Sequence, residues 1–341
     1  MYFLVFEYLC THISEFMKEK ILITGASGFI GSFIVEEALR LDMEVWAVVR
    51  RGSSLQYLQD KRINLLELDF SSEEQMTEML RGKQFDYAVH AAGATKALSL
   101  QTFYKVNTDG TINFVRALEA TSPELRRLVF ISSLSIFGPV RDRQPFTDIL
   151  LSDTPQPNTC YGKSKLKAEE WLKTNAKVPF TILRPTGVYG PREKDYALMA
   201  DSIRQHLDIA SGWSRQDITF VYVRDVVQAV FLSMKSAKTV GKAYFLSDGE
   251  VYDSTEFSRL LMEVQNIGWV LRLRMPLCIL KAICAVSDVW MRLTKKPSTL
   301  NNDHYAILAQ RNWRCEIQPA IDDFGYHPQW KLAAGVKETF G

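Results

Sequence analysis

Two periodicities of apolar and polar positions alternate through the first half of the chain. Short aliphatic or β-branched runs at 21–24, 44–49, 63–68, 87–90, 128–131 and 180–183 read as buried strands. Between them lie stretches with helical spacing. One runs from 29 to 41, with Ile30, Ile34, Ala38 and Leu41 on one face; others cover about 100–120 and 161–176. Ser71 and Ser72 before Glu73 and Glu74 mark another helix start, since a hydroxyl caps free N–H groups and acids suit the first turn. Alternating β and α units with apolar strands predict an α/β fold: a doubly wound parallel sheet covered by helices on both faces, with right-handed crossovers. After Pro185 the rhythm breaks at Gly187, Gly190 and Pro191. One further strand is expected at 218–223 and a helix at 225–234. Beyond 250 the chain reads as helical and then irregular, with turns near Pro297, Gly325 and Pro328. The predicted organisation is an N-terminal extension at 1–16, a sheet domain at 17–185 rejoined by 216–236, and a smaller, mostly helical C-terminal lobe from 186–215 and 237–341.

One helical stretch, 277–293, is mostly apolar, with Lys281, Asp288 and Arg292 on a stripe and Arg272, Arg274, Lys295 and Lys296 flanking it. A membrane span wants about 20 apolar residues. A core or lid helix over an apolar substrate is the favoured reading; a membrane-surface or dimer helix is the alternative. Net charge changes the picture only by exclusion. At +2, with no dense basic run, the chain gives no reason to expect a nucleic-acid partner. Cys10, Cys160, Cys278, Cys284 and Cys315 are odd in number and widely spaced, as expected of free thiols in a reducing, cytoplasmic setting. No His/Cys grouping has metal-ligand spacing, so no metal is expected.

Candidate chemistry begins at Gly25-Ala26-Ser27-Gly28-Phe29-Ile30-Gly31, directly after a strand and opening a helix. In that context three glycines make a dinucleotide loop, and the fold a Rossmann domain. Gly25 allows the tight turn, Gly28 the approach of a pyrophosphate, and Gly31 the close packing of helix on sheet. The helix N-terminus offers N–H groups and partial positive charge to phosphates. At the end of the second strand stands Arg50, with Arg51 beside it, where an acid would hold the ribose of NAD; a guanidinium suits the 2′-phosphate of NADP. Asp69 and Phe70 end the third strand, and Asp69 is placed either to accept from adenine or to cap the next helix. His90 reads as packed, and Ala91, Ala92 and Gly93 let a cofactor lie against backbone.

Tyr161 and Lys165 lie four apart on a predicted helix and so share a face. Bringing a tyrosine from a pKa of ~10 to neutrality takes about 4 kcal/mol. A unit charge ~4 Å away supplies about that much at an effective dielectric of ~20. Ser132 and Ser133, at the end of the preceding strand, put a hydroxyl at the carboxyl edge of the sheet, where ligands of open α/β sheets bind.

With these motifs in this order, the chain resembles the extended short-chain dehydrogenase/reductases from about residue 20 to 340. Asn107 looks like the family's active-site asparagine, and Arg184-Pro185 with Val188 to Arg192 like the stretch beside the nicotinamide. The resemblance implies that Tyr161 is the general acid/base, Lys165 lowers its pKa and holds the ribose, and Ser133 binds the substrate oxygen. It also implies that Asn107 supports a proton path, and that Pro185 and Val188 line the cofactor site. Sugar-nucleotide epimerases and dehydratases share the first half, but an arginine that grips a nucleotide diphosphate is replaced here by Ile218-Thr219, and Leu134 follows Ser133. The 3β-hydroxysteroid dehydrogenase and dihydroflavonol reductase type fits the apolar 277–293 stretch and the C-terminal tail better. The expected function is an NADP-preferring oxidoreductase acting on a small, apolar, sterol- or flavonoid-like alcohol or ketone. A dinucleotide-binding sensor without chemistry is the reading from another class, although such proteins usually lose the Tyr or Lys. Dimerisation through two helices is common in the superfamily, but no residue here specifies it.

Overall fold

In a computed structural model, residues 18–294, 298 and 301–341 are described. The expected extension at 1–16, the flanking Lys295 and Lys296 and the turn at Pro297 lie outside the described residues. The six expected strands form as β1 (Lys20–Thr24), β2 (Glu44–Val49), β3 (Asn64–Glu67), β4 (Tyr87–His90), β5 (Arg127–Ile131) and β6 (Phe180–Pro185). They pair in parallel in the order β6-β5-β4-β1-β2-β3. The order reverses between β1 and β4, which places the ligand crevice of a doubly wound sheet above those two carboxyl ends.

Both faces of the sheet are covered, as its nearly continuous apolar strands require. One face packs under helices Phe29–Arg40 and Val223–Lys235 through Ile21, Ile23, Ile34, Ala38, Val226 and Val230. The other packs under helices Glu73–Leu80, Gly110–Thr121 and Cys160–Asn175 through Leu22, Ala88, Phe114, Leu118, Phe130 and Leu172.

The structure corrects the expected return to the sheet. The strand anticipated at 218–223 is broken at Thr219: Asp217–Ile218 pairs with Tyr252–Asp253, and Phe220–Tyr222 pairs with Gly187–Tyr189. Thr219 is drawn off the sheet, its hydroxyl donating to the Trp313 carbonyl at 2.6 Å and its carbonyl accepting from Thr186. A seventh strand, Lys242–Leu246, joins β6 instead. It sits inside the stretch assigned to the second lobe. Its neighbouring Tyr244 and Phe245 belong to two different clusters, so the strand is apolar on both faces.

The remainder forms a lobe with its own aromatic core, where Tyr189, Phe220, Tyr222 and Phe257 pack with Leu261 and Leu332. Helix Leu277–Thr294 lies on this lobe. It is not a core helix: Leu280, Cys284 and Met291 are buried, while most of its apolar side chains face outward.

Helix Cys160–Asn175 is fixed to the sheet by a bidentate ion pair. Arg184 on β6 reaches Glu169 at 3.0 and 2.6 Å, with both side chains nearly inaccessible. Burial pushes the Glu169 carboxyl up, and the guanidinium beside it more than reverses that, so it stays ionised below the usual range. Removing the arginine leaves the buried carboxylate with only the longer, half-exposed contact from Lys173 at 3.4 Å. Arg184→Leu is expected to lose about 3–5 kcal/mol of unfolding free energy in urea titration. The double variant Arg184→Leu/Glu169→Leu should recover a large part of it; no recovery would mean that the helix is held mainly by its other contacts.

Candidate active site

The glycine loop shows why its residues are small. Gly25 has φ +69°, and a Cβ there would lie 2.7 Å from the Ala91 carbonyl carbon and the Ala92 nitrogen. A Cβ on Gly31 would stand 2.1 Å from the Gly25 carbonyl oxygen. The turn after β1, the first helix and the end of β4 therefore meet as bare backbone. Gly28 takes the N-cap of helix Phe29–Arg40 without a side-chain cap, and its own N–H donates to Gly25 O at 2.9 Å. Ser27, Gly28, Phe29 and Ile30 are partly or fully exposed at this helix start. A cradle that a single Cβ would fill, opening on uncapped helix N–H groups, fits a dinucleotide pyrophosphate.

Thr24 binds the two central strand ends together. Its hydroxyl lies 2.7 Å from His90 Nδ1 and accepts from Ala92 N at 3.2 Å. His90 is packed among Phe70, Phe114 and Phe130, with its Nε2 at 2.9 Å from the Thr111 hydroxyl. Burial, aided by the Lys165 charge, lowers its pKa to about 3, so it is a neutral structural group. Phe70 is half-buried in this aromatic stack, and a Cβ on Gly110 would lie 3.3 Å from its Cβ. Asp69 is exposed; its carboxylate accepts from Ser71 N at 2.9 Å, which holds it below the usual range, while Ser72 rather than Asp69 caps the following helix. Arg50 is exposed at the end of β2, and among the described residues it makes no ion pair; its backbone N–H donates to the Ser53 hydroxyl and its carbonyl accepts from Ser53 N.

Ser133, Tyr161 and Lys165 meet at the carboxyl edge of the sheet. Ser133 follows β5, its hydroxyl accepting from the Ser135 hydroxyl at 2.8 Å and standing close enough to the Tyr161 phenol to act on its ionisation. Ser132 points the other way, toward Glu169, as alternation along a strand requires. Tyr161 is half-buried, its ring edge-on to Phe103 at 6.3 Å. Lys165 is buried, its ammonium donating to Ile131 O at 2.8 Å and standing over the Phe130 ring at 4.6 Å. A Cβ on Gly93 would be 3.4 Å from that ammonium and 3.3 Å from Asn107 Oδ1. Pro185 is buried at the end of β6, and half-buried Val188 follows in strand Gly187–Tyr189.

The electrostatics differ from the simple expectation. Desolvation pushes Tyr161 up to about 12, with the Ser133 hydrogen bond opposing it. Desolvation also lowers Lys165 to about 8, with Glu169 opposing. The lysine does not draw the tyrosine down, because its ammonium is spent on the Ile131 carbonyl and the phenol is removed from water. Both groups are biased toward their neutral forms.

Asn107 lies in a π-helical turn, Tyr104–Asp109, a local widening common at functional sites. Both ends of its amide are engaged: Oδ1 accepts from Ala94 N at 2.7 Å, and Nδ2 donates to Ala94 O and to Ser164 Oγ. It pins the loop after β4 to the helix that carries Tyr161.

Several contributors have no local sequence signal. Asp303, from helix Asn302–Ala309, accepts from the backbone N–H groups of Cys160 and Tyr161 at 2.8–3.2 Å. It caps the catalytic helix from a segment more than 140 residues away. Lys96 pairs with Asp195 at 3.0 Å, and His304 feels both charges. Arg192 stacks on Phe33 and Tyr57 at 4.1 and 4.2 Å and donates to Ser32 Oγ, tying the loop after Val188 to the cofactor-loop helix. Each arises from segments that only folding brings together.

The buried ammonium of Lys165 carries a stability cost. Its folded pKa is depressed, so the cost is present in full below pH ~8 and disappears as pH rises toward the unfolded value. A depression from 10.5 to about 8 corresponds to about 3 kcal/mol. Lys165→Met, which forfeits the Ile131 hydrogen bond, should still be about 1–2 kcal/mol more stable at pH 7 by urea unfolding, and its advantage should shrink between pH 8 and 10. An advantage independent of pH would show that the lysine is not strained by burial.

The model of the family described as "NAD dependent epimerase/dehydratase family" matches residues 21–247. The 3 beta-hydroxysteroid dehydrogenase/Delta 5-->4-isomerase of Vaccinia virus is 27% identical, with 93% of this chain and 96% of that protein covered. The UDP-glucose 4-epimerase of Vibrio cholerae is 26% identical, with 95% of each covered. The solved UDP-glucose 4-epimerase of Thermotoga maritima superposes with a TM-score of 0.76 at 20% identity, over 94% of this chain and 97% of that one, a likeness of fold. The crevice at the strand reversal, the glycine cradle and the family match lead to one assignment: the chain belongs to the NAD dependent epimerase/dehydratase family and is an NAD-dependent enzyme of the short-chain dehydrogenase/reductase class.

Proposed function

We propose that this enzyme interconverts an alcohol and a ketone or aldehyde on a small apolar substrate, with Ser133, Tyr161, Lys165 and Asn107 as its catalytic set. The observation that carries the reading is that helix Cys160–Asn175 brings Tyr161 and, one turn on, Lys165 to the carboxyl end of β5, where the Lys165 ammonium binds Ile131 O and Ser133 lies close to the phenol. Ser133 holds the substrate oxygen. Tyr161, protonated at neutral pH because burial raises it, gives its proton to that oxygen in the reductive direction and takes it back in the oxidative one. Lys165, facing Gly93, is placed to hold the nicotinamide ribose, and Asn107 fixes the loop on which Gly93 sits. When bound, the nicotinamide dinucleotide supplies or accepts the hydride. Gly25, Ser27, Gly28, Phe29, Ile30 and Gly31 would cradle its phosphates, Asp69, Phe70, Ala91, Ala92 and Gly93 would line its adenosine and ribose side, and Pro185 and Val188 its nicotinamide end.

The preference proposed is for NADP. Arg50 stands exposed at the end of β2 without an ionic partner among the described residues, free to pair with a 2′-phosphate. The apolar substrate is favoured over a sugar nucleotide because Ile218 and buried Thr219 occupy the place of a diphosphate-gripping arginine, and Thr219 is committed to Trp313 and Thr186.

Tyr161→Phe is expected to reduce turnover at least ~10³-fold, in line with loss of a positioned proton donor, while leaving cofactor affinity within about twofold. Turnover and calorimetric binding measured on the same preparation check it, and turnover close to wild type removes the mechanism. In parallel titrations NADPH should bind about tenfold tighter than NADH, and Arg50→Asp should invert that order. Equal affinities in the wild type would leave Arg50 as a solvated side chain and send the substrate search to UDP-sugars as well as hydrophobic ketones.

A further inference from the structure

The face presented by helix Leu277–Thr294 is inverted relative to a helix that packs its apolar stripe inward. Its outward positions include Ile279, Ile283, Val286, Val289, Trp290 and Leu293, with Val286 71%, Trp290 66% and Leu293 75% exposed. These recur three, four and seven residues apart and make one stripe along about four turns. The preceding strand, Leu271–Met275, continues in the same manner. Leu271 and Leu273 are exposed beside Ile209 of the strand it pairs with, and Trp269 before it is 64% exposed. Isolated exposed apolar residues are ordinary, but a contiguous helical stripe of them marks a surface that meets something.

The charges around this stripe indicate what it meets. Residues 269–296 contain six basic residues, Arg272, Arg274, Lys281, Arg292, Lys295 and Lys296, against the single acid Asp288. That segment is net +5 in a chain of net +2. Asp288 keeps its charge and is counted in that net value, while Arg272 is already paired with Asp208 of the neighbouring strand at 2.8 Å. Arg274 and Lys281 are exposed and pair with no acid among the described residues. A second copy docked face to face would bring two such segments together and oppose their charges. An anionic lipid surface satisfies both features at once: acyl chains accept Val286, Val289 and Leu293, the tryptophans lie at headgroup depth, and the cations meet lipid phosphates. No helix among the described residues is long and apolar enough to cross a membrane.

We propose that this face docks the enzyme on an anionic lipid bilayer, with helix Leu277–Thr294 lying in the interface. The proposal stands apart from the reading of the substrate, because docking is read without cofactor or turnover.

The test is sedimentation of the full-length protein with vesicles of phosphatidylcholine alone and of phosphatidylcholine containing a quarter phosphatidylglycerol. Wild type should pellet with the anionic vesicles, about tenfold less with the neutral ones, and less again at high salt. Val286→Glu/Trp290→Glu/Leu293→Glu should weaken anionic-vesicle binding at least about tenfold. Arg274→Glu/Lys281→Glu, which leaves the apolar stripe intact, should weaken it at least about threefold and spare binding to neutral vesicles. Thermal unfolding of each variant controls for folding. Wild type remaining in the supernatant overturns the proposal, and so does a triple variant that binds as well as wild type. A wild-type dimer in sedimentation velocity that the triple variant dissolves, without vesicle binding, overturns it in favour of a second copy.

Discussion

The catalytic helix Cys160–Asn175 has to sit at one height and one rotation on the sheet, and the buried Glu169–Arg184 pair sets both. A bidentate guanidinium–carboxylate contact has a fixed plane and spacing, which the single, longer contact from Lys173 to Glu169 does not supply. From that seat the same helix places Tyr161 beside Ser133, one turn above Lys165, and presents Ser164 to Asn107. The cap from Asp303 on the first N–H groups holds the other end of the helix. Catalytic geometry here is a consequence of how a structural helix is anchored.

Proximity has an electrostatic consequence. The burial that positions Tyr161 and Lys165 also removes them from water, raising the phenol to about 12 and lowering the ammonium to about 8. Desolvation outweighs the mutual attraction that a one-turn spacing suggests.

Much of the fold was legible because a parallel α/β unit needs apolar strands and amphipathic helices in alternation, and β1 to β6 show that alternation openly. The glycine loop was legible for a sharper reason: Gly25 and Gly31 stand where a Cβ would overlap backbone, so the residue type is dictated by contact distance. The strand Lys242–Leu246 was not legible because it follows the break in the β-α alternation after Pro185, and the break at Thr219 depends on partners at 186 and 313 that no local window contains.

The sequence by itself determined the alternation of strands and helices and the glycine turn between the first strand and helix, because each rests on local periodicity or on the volume of one side chain. Only the tertiary structure decided that Asp303 caps the helix that carries Tyr161, and that the apolar stripe of helix Leu277–Thr294 faces outward. Those facts depend on which distant surfaces meet. A hydrophobic period says that a helix has an apolar face, and what lies against that face is settled by the packing of the whole chain.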